Sequence, residues 1–223
     1  MSTNDIKMKT LKLAFLGDSA VGKTTIIETY MDVEFNEDFI STIGWDRKKT
    51  SIILDDGKEM ELSIWDTAGQ ERYHSVAVKV IKQVQGIIIV FDVTKKESFK
   101  NVVDWLQVID DNFTDVSLIL FGNKCDLEDK REVTEEEAIK FAKENNLKYL
   151  ETSAKTKINI KEGISLIANE VYKKYKNVEP TIKLNKKLTG KKKSSCCGGG
   201  KSNKKEEKKD NSKNNPENQK EQK

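Results

Sequence analysis

Residues Gly17-Asp18-Ser19-Ala20-Val21-Gly22-Lys23-Thr24 decide the fold of this chain, because they fit the pattern G-x-x-x-x-G-K-[ST]. The apolar residues 11–16 before them predict a buried strand, and residues 25–30 after them continue as a helix. The two glycines therefore fall at a strand-to-helix turn. There the backbone can curl so that its N–H groups point inward, and the helix N-terminus adds partial positive charge. The stretch predicts a phosphate-binding loop.

Two side chains at the end of this stretch have the chemistry that a phosphate loop needs. Lys23 can reach the β- and γ-phosphates of a nucleotide, and Thr24 offers its hydroxyl to Mg²⁺. The alternative is a chance match, in which a glycine turn stands beside an ordinary exposed lysine, and other segments must decide between the two. The residues that we expect to surround the phosphates are Ser19, Ala20, Val21, Gly22, Lys23, Thr24 and Thr25.

A second segment, Asp66-Thr67-Ala68-Gly69-Gln70-Glu71, follows the apolar residues 62–65. It puts the carboxylate of Asp66 at the end of a strand, where it can hold Mg²⁺ through a water molecule. Gly69 has no side chain, so its N–H can approach a γ-phosphate, and the Gln70 amide can both donate to and accept from an attacking water. These are the parts of nucleoside-triphosphate hydrolysis, with Lys23 and Gln70 as its catalytic residues.

Two further segments indicate which base is bound. Asn123-Lys124-Cys125-Asp126 follows the apolar residues 117–121, and Asp126 can accept two hydrogen bonds from the N1–H and the 2-amino group of guanine, a donor pair that adenine lacks. In Ser153-Ala154-Lys155, the Ala154 N–H can meet the guanine O6. Asn123 and Asp126 argue against a P-loop ATPase or a nucleoside kinase, so the sequence favours a guanine nucleotide.

In this order and spacing the four segments resemble the small GTPases of the Ras superfamily, over residues 9–176. The resemblance implies a molecular switch that binds GTP or GDP with Mg²⁺ and hydrolyses GTP to GDP and phosphate. It assigns Thr42 to switch I, as a ligand of Mg²⁺ together with Thr24 and Asp66, and it assigns Phe35 to stacking on guanine. The alternative is a binding module that senses nucleotide without hydrolysing it. Retention of the metal ligands and of Gln70 argues against that alternative.

Within the superfamily the chain is most similar to the Rab family, which implies a role in vesicle trafficking. It also implies an exchange factor, a GTPase-activating protein and effectors that bind the switches. Of the three aromatic residues that Rab effectors commonly contact, only Trp65 stands at its position, with Arg47 and Val80 at the other two. The choice of effector therefore stays open. The stretches that carry the Rab resemblance are residues 41–44, 64–73 and 98–106.

Alternating strand and helix patterns predict an α/β fold of the P-loop small G-protein type. We expect a mostly parallel six-stranded sheet with helices on both faces, and one antiparallel strand from a hairpin around Asp55-Asp56-Gly57-Lys58. Residues 86–91 are apolar enough for a central strand. Thr134 and Glu137 predict a helix start. Two sets of apolar residues recur at helical spacing, namely Phe99, Val102, Val103, Leu106 and Ile109, and Ile160, Ile164, Ile167, Val171 and Tyr175.

Charge divides the 223-residue chain unevenly. The formal net charge is +3, but residues 181–223 hold fourteen lysines and five acidic residues, which leaves −6 for residues 1–180. Residues 181–223 are strongly basic and contain few apolar side chains, so they cannot bury enough apolar surface to fold. We predict a flexible N-terminus over residues 1–8, a GTPase domain over residues 9–176 and a disordered Lys-rich tail over residues 177–223. We expect a monomer without a nucleic-acid partner.

The tail contains the pair Cys196-Cys197 behind three lysines. Rab proteins typically end in two prenylated cysteines, but here the pair lies 26 residues before the last residue. Three explanations stay open: trimming of the tail, palmitoylation of the cysteines, or an unused remnant. No apolar leader segment is evident, so we expect a cytoplasmic protein on the cytosolic face of an endomembrane.

Cys125 is read as a filler residue without a redox or metal role, and the single histidine, His74, as solvent-facing.

Overall fold

The computed structural model describes residues 8–34, 42, 44–67, 78, 82–112 and 115–176. Within these residues the chain forms strands, helices and one 3-10 turn at Glu128–Lys130. The elements are β1 Thr10–Leu16, α1 Lys23–Tyr30, β2 Trp45–Ile53, β3 Glu59–Thr67, β4 Gly86–Asp92, α2 Lys96–Lys100, α3 Val102–Asp110, β5 Ser117–Asn123, α4 Glu135–Glu144, β6 Lys148–Thr152 and α5 Ile160–Tyr175.

The described strands form one six-stranded sheet in the order β2-β3-β1-β4-β5-β6. Strand β1 pairs in parallel with both β3 and β4, and the parallel pairing continues through β5 to β6. Only β2 runs antiparallel, against β3. The predicted fold is confirmed. Because five strands share one direction, their carboxyl ends meet at one edge of the sheet, where open α/β sheets bind ligands.

Two apolar cores cover the two faces of the sheet. Helices α1 and α5 pack on one face, over Leu13, Phe15 and Ile64, whereas α3 and α4 pack on the other face, over Ile87, Ile89 and Phe91. Strand β4 is buried along its whole length and alternates between the two cores. Each fully buried aliphatic side chain contributes about 1.5–3 kcal/mol. The sheet therefore holds the loops at its edge on a rigid base.

The helices agree with their apolar patterns except at one residue. The buried face of α3 runs through Val102, Trp105 and Ile109, so Val103, which we predicted to face the core, is turned away from it and is 54% exposed. In α5 the predicted apolar stripe is buried except for its last member, Tyr175, which is partly buried against the core. None of the described helices is both long and apolar enough to cross a bilayer.

The start of α4 follows the sequence prediction in part. The Thr134 hydroxyl accepts a hydrogen bond from the Glu137 N–H at 3.2 Å, as a capping residue should. The Glu137 carboxylate instead pairs with Lys96 Nζ at 3.0 Å, which ties α4 to α2.

The hairpin is longer than its apolar pattern predicted. Strand β2 begins at Trp45, although residues 45–49 are mostly charged and exposed. These residues are held by a ladder of main-chain pairing in which Trp45 faces Thr67 and Ile53 faces Glu59. Backbone pairing of this kind leaves no apolar signature in the sequence.

Candidate nucleotide-binding site

Described residues of all four sequence segments meet at the carboxyl edge of the sheet. The loop of residues 17–22 follows β1, Asp66 lies near the end of β3, Asn123 ends β5, and Ser153 follows β6. The edge thus brings together residues from the whole length of the domain.

The loop after β1 has the curled backbone that a phosphate cradle needs. Gly17, Ala20 and Gly22 have φ angles of 135°, 63° and 98°. A Cβ on Gly17 would lie 2.1 Å from the Val90 carbonyl oxygen, and one on Gly22 would lie 2.3 Å from Asn123 Nδ2. Both positions therefore require glycine for close approach as well as for conformation. The loop ends at Lys23, where α1 begins without a side-chain cap, so its first N–H groups are available to an anion.

The side chain of Lys23 reaches back from the start of α1 to the main chain of this loop. Its Nζ donates to the carbonyl oxygens of Gly17 at 2.8 Å and of Asp18 at 2.7 Å, and the residue is only 5% exposed. Burial lowers the pKa of Lys23 to about 8, an effect that the charges of Asp66 and Asp18 oppose. An ammonium group has three donors, so these two contacts within the described residues leave one N–H for a ligand. The alternative of an ordinary exposed lysine is excluded by this burial.

Three oxygen-bearing side chains converge beside Lys23. The Thr24 hydroxyl donates to Asp66 Oδ2 at 2.6 Å and lies 2.9 Å from the Thr42 hydroxyl. Asp66 is 1% exposed, and its other oxygen, Oδ1, has no hydrogen-bond partner among the described residues. Burial raises the pKa of Asp66, whereas Thr24 and Lys23 act against that rise. A buried carboxylate with a spare oxygen next to two hydroxyls fits a hard divalent cation such as Mg²⁺.

The loop after β5, which the sequence predicts to recognise the base, is hydrogen-bonded to the predicted phosphate loop after β1. Asn123 Nδ2 donates to the Val21 carbonyl at 2.8 Å, and Lys124 Nζ donates to the Ala20 carbonyl at 2.9 Å. Lys124 also forms an ion pair of 2.6 Å with Asp92, whose side chain is fully buried. These two side chains therefore fix the spacing between the loops that follow β1 and β5.

Asp126 is oriented by the loop after β6. Its Oδ1 accepts a hydrogen bond of 2.6 Å from the Ser153 hydroxyl, which also accepts one from the Thr156 N–H at 3.0 Å. The Thr29 hydroxyl of α1 donates to the Ala154 carbonyl at 3.0 Å. The loops that carry Asp126 and Ala154 are thus joined to each other and to α1.

Several predicted site residues lie outside the described part of the chain. These are Phe35, Gly69, Gln70, Cys196 and Cys197, together with His74 and Val80. The structure does bring together the phosphate loop, Thr24, Thr42, Asp66 and the base-recognition residues. Lys155, the last of the predicted base residues, is exposed and follows Ala154 directly.

Sequence reasoning missed two acidic residues that organise the site. Asp92 ends β4 and pairs with Lys124, and the carboxylate of Asp18 accepts hydrogen bonds from Asn101 at 2.8 Å and from Trp105 at 2.9 Å. A signal existed for Asp92, because a carboxylate directly after an apolar strand stands at the same edge as Asp66. No comparable signal marks Asn101.

Cys125 is a partly buried free thiol in the loop after β5. Burial raises the pKa of its thiol to about 11, with help from Glu151 and Asp126. Within the described residues no three His, Cys, Asp or Glu side chains cluster as a metal site. The oxygen cluster of Thr24, Thr42 and Asp66 contains one carboxylate and two hydroxyls.

A glycine-rich loop between β1 and α1, a buried lysine and an acidic residue at the end of β3 define a P-loop nucleotide-binding protein. Residues 12–173 match the sequence model of the Ras family. The chain is 43% identical over 170 residues to Ras-related protein Rab-10 of Diplobatis ommata, spanning 76% of this chain and 84% of the relative. It is 42% identical to Rab-13 of Canis lupus familiaris over 161 residues, which span 72% of this chain and 79% of the relative. It is also 42% identical to Rab-8B of Homo sapiens over 164 residues, which span 73% of this chain and 79% of the relative. The chain belongs to the Ras family, as a Rab-like small GTPase that hydrolyses GTP to GDP and phosphate.

Proposed function

We propose that this Rab-like GTPase is a nucleotide-operated switch of membrane trafficking and that the site described above holds its guanine nucleotide with Mg²⁺. The observation that carries the proposal is the contact of Thr24 with both Asp66 and Thr42, beside buried Lys23. These are the groups that the phosphates and the cation of a bound nucleotide require.

The phosphates of the nucleotide would be bound by the ammonium group of Lys23 and by main-chain N–H groups. Lys23 keeps a free N–H for the β- and γ-phosphates, and the loop of residues 19–25 supplies N–H groups around them. Thr24, Thr42 and Asp66 would hold Mg²⁺, which when bound neutralises charge on the phosphate oxygens. Because Thr42 belongs to the segment that sequence resemblance assigns to switch I, its contact with Thr24 supports a link between the nucleotide state and that segment.

Guanine recognition rests on Asp126. The Ser153 hydroxyl donates to Oδ1 of the Asp126 carboxylate. The remaining lone pairs of the carboxylate can accept hydrogen bonds from the N1–H and the 2-amino group of guanine. Asn123 and Lys124 hold the loop in place through Val21 and Ala20. Phe35 would stack on the base, and the Ala154 N–H would meet O6.

Hydrolysis would need little from the protein beyond positioning and charge. Gln70 would orient the attacking water, and Lys23 would stabilise charge on the transferred phosphate. Arg47 is occupied elsewhere, since its Nε donates to Ser63 at 2.8 Å and its guanidinium lies 4.9 Å from the Trp65 ring centre. None of the described contacts places an arginine of this chain at the phosphates, so we expect slow turnover, on the order of 10⁻⁴–10⁻³ per second, and dependence on an activating partner.

Loss of the γ-phosphate would release Thr42 and Gly69 and so change the surface offered to exchange factors, activating proteins and effectors. We further propose that Cys196 and Cys197 carry lipid and, with the neighbouring lysines, hold the monomer reversibly on a cytosolic membrane face. Intact mass of the protein from its native cells tests the lipid. Full-length unmodified protein found wholly in the soluble fraction would contradict this part of the proposal.

The nucleotide site is tested by competition against fluorescent GDP, with and without a Mg²⁺ chelator. We expect GTP and GDP to displace the probe and ATP to fail, and the chelator to weaken binding. Thr24→Ala should reproduce the effect of the chelator, whereas Thr50→Ala, a matched change on β2, should not. Equal binding of ATP and GTP would overturn the base assignment.

A further inference from the structure

Asp18 makes side-chain contacts that the nucleotide site itself does not explain. Asn101 Nδ2 donates to its Oδ2 at 2.8 Å, and Trp105 Nε1 donates to its Oδ1 at 2.9 Å. The two donors come from the junction of α2 with α3 and from α3, and neither belongs to the four segments that surround the nucleotide. We call Asp18, Asn101 and Trp105 the Asp18 clamp.

The Asp18 clamp fixes its carboxylate firmly. Trp105 is 3% exposed and packs in the core that α3 and α4 share, so its N–H cannot move far. A carboxylate that accepts two hydrogen bonds, one on each oxygen, is held in both position and rotation. The clamp borders a polar cavity of about 670 Å³ lined by Asp18, Ser19, Ser98, Asn101, Asp104 and Trp105 among others. Water in that cavity would compete for Asp18 if the donors were lost.

The main chain of Asp18 carries this constraint into the nucleotide site. Its carbonyl oxygen accepts a hydrogen bond of 2.7 Å from Lys23 Nζ, and its negative charge favours the charged form of Lys23. Asp18 thus contacts α3 through its side chain and the phosphate-binding lysine through its backbone. A shift of the Asp18 peptide would displace the cation and the neighbouring loop N–H groups together.

We propose that Asn101 and Trp105 are positioning residues of the nucleotide site, which hold Asp18 and thereby slow the release of bound nucleotide. The inference rests on the proposed function, because it takes the loop of residues 17–22 as the phosphate site. If Trp105 only packed in the core, the loss of its N–H would leave the rate of GDP release unchanged, and so would substitution of Asn101.

Exchanging the carboxylate of Asp18 with the amide of Asn101 distinguishes a positioning role from a role in packing alone. Asn101→Asp places two carboxylates at 2.8 Å and should push Asp18 away. The double variant Asp18→Asn with Asn101→Asp reverses donor and acceptor, so the new amide can donate to the new carboxylate and still accept from Trp105. Gln107→Glu is the matched control, because on the same helix it faces Asp111 at 2.9 Å but lies away from the loop.

The measurement is the rate at which full-length protein releases fluorescent GDP into excess unlabelled GDP at fixed Mg²⁺, together with the thermal midpoint. We expect Asn101→Asp to release GDP about tenfold faster, the double variant to return within about threefold of the wild-type rate, and Gln107→Glu to stay at the wild-type rate. Trp105→Phe, which keeps the ring and removes the N–H, should also accelerate release and serves if Asn101→Asp does not fold. Wild-type release rates in both single variants, or no rescue in the double variant, would overturn the inference. Failure of the wild type to retain GDP would instead contradict the proposed function.

Discussion

The side-chain amide of Asn123 donates a hydrogen bond of 2.8 Å to the main-chain carbonyl of Val21, and so joins the loops after β5 and β1 across 102 positions of sequence. The same side chain accepts from the Thr152 hydroxyl at 3.3 Å. Asn123 therefore acts as a tie between three strand ends, and its contribution to nucleotide binding should come through the fold.

Removal of this tie should weaken both stability and binding. Asn123→Ala leaves the Val21 carbonyl without its donor, so we expect a loss of about 1–3 kcal/mol in the free energy of unfolding and weaker binding of GDP. Asn112→Ala, which removes a local bond of 2.8 Å to Val108, should cost less than about 1 kcal/mol and leave GDP binding unchanged. Denaturant unfolding and GDP titration measure the two effects, and unchanged GDP affinity in Asn123→Ala would contradict the role of this tie.

Substitution of Asp126 should change the preferred base while sparing the fold. Asp126→Asn can still accept from Ser153, so the loop should persist, but it presents a donor where guanine also has donors. We expect GTP affinity to fall and xanthine nucleotides to become the preferred ligands in a competition assay. Asp129→Asn, an exposed change three positions further on, is the control and should leave the order of preference intact. An unaltered preference in Asp126→Asn would remove this carboxylate from base recognition.

Gln70→Leu should separate hydrolysis from binding. Because Gln70 would act on the attacking water, its loss should slow single-turnover GTP hydrolysis by roughly tenfold or more and leave GTP affinity nearly unchanged. Gln107→Leu, on the exposed side of α3, controls for the general effect of the substitution. The role of Gln70 would be refuted by a wild-type rate of hydrolysis, both alone and with an activating partner.

Gly22→Ala should damage the site through its backbone. The added Cβ would lie 2.3 Å from Asn123 Nδ2 at a residue whose φ is +98°, so we expect a loss of about 2 kcal/mol or more in unfolding free energy and severely weakened GDP binding. Gly57→Ala has a φ of +78° but open space around it, and should cost about 1 kcal/mol without affecting GDP. Similar GDP affinities for the two variants would show that the contact with Asn123 is unimportant.

Cys125 should react slowly with alkylating reagents. Because burial, Glu151 and Asp126 raise its pKa to about 11, the reactive thiolate at pH 8 should be about a hundredfold scarcer than for a thiol of pKa 9. With Cys196 and Cys197 both changed to serine, Cys125 is the single thiol of the chain. Its iodoacetamide rate should rise about tenfold per pH unit between pH 7.5 and 9.5. A plateau near pH 9 would mean an ordinary pKa.

The arrangement of the site's loops was predictable because each segment follows an apolar strand, and parallel strands bring their carboxyl ends to one edge. Asp66, Asn123 and Ser153 come together for that reason alone. The contacts of Asp18 with Asn101 and Trp105 were not predictable, because they join residues 83 and 87 positions apart and depend on where α3 packs. Trp105 is buried in the core that α3 and α4 share, but an apolar pattern does not predict where an indole N–H points.

Local differences have a similar origin. The sequence of residues 99–109 suggests one continuous helical stripe, whereas the structure divides it at Asn101, the residue that contacts Asp18. Likewise, residues 45–49 carry no apolar alternation, and only their pairing with β3 makes them a strand. Apolar periodicity predicts which residues are buried, but it does not predict elements that are held by main-chain or polar contacts.

The strand order has a consequence for the lifetime of the protein. The residues proposed to bind the phosphates and the cation lie at the carboxyl ends of β1 and β3, those proposed to bind the base lie at the carboxyl ends of β5 and β6, and β4 lies between the two pairs. A bound nucleotide would therefore brace the two halves of the sheet against each other. At a concentration a thousandfold above its Kd it would add about 4 kcal/mol to the free energy of unfolding, since only the complete sheet binds it. Molecules emptied during exchange would lose that brace, and they are the ones that we expect proteases and chaperones to encounter first.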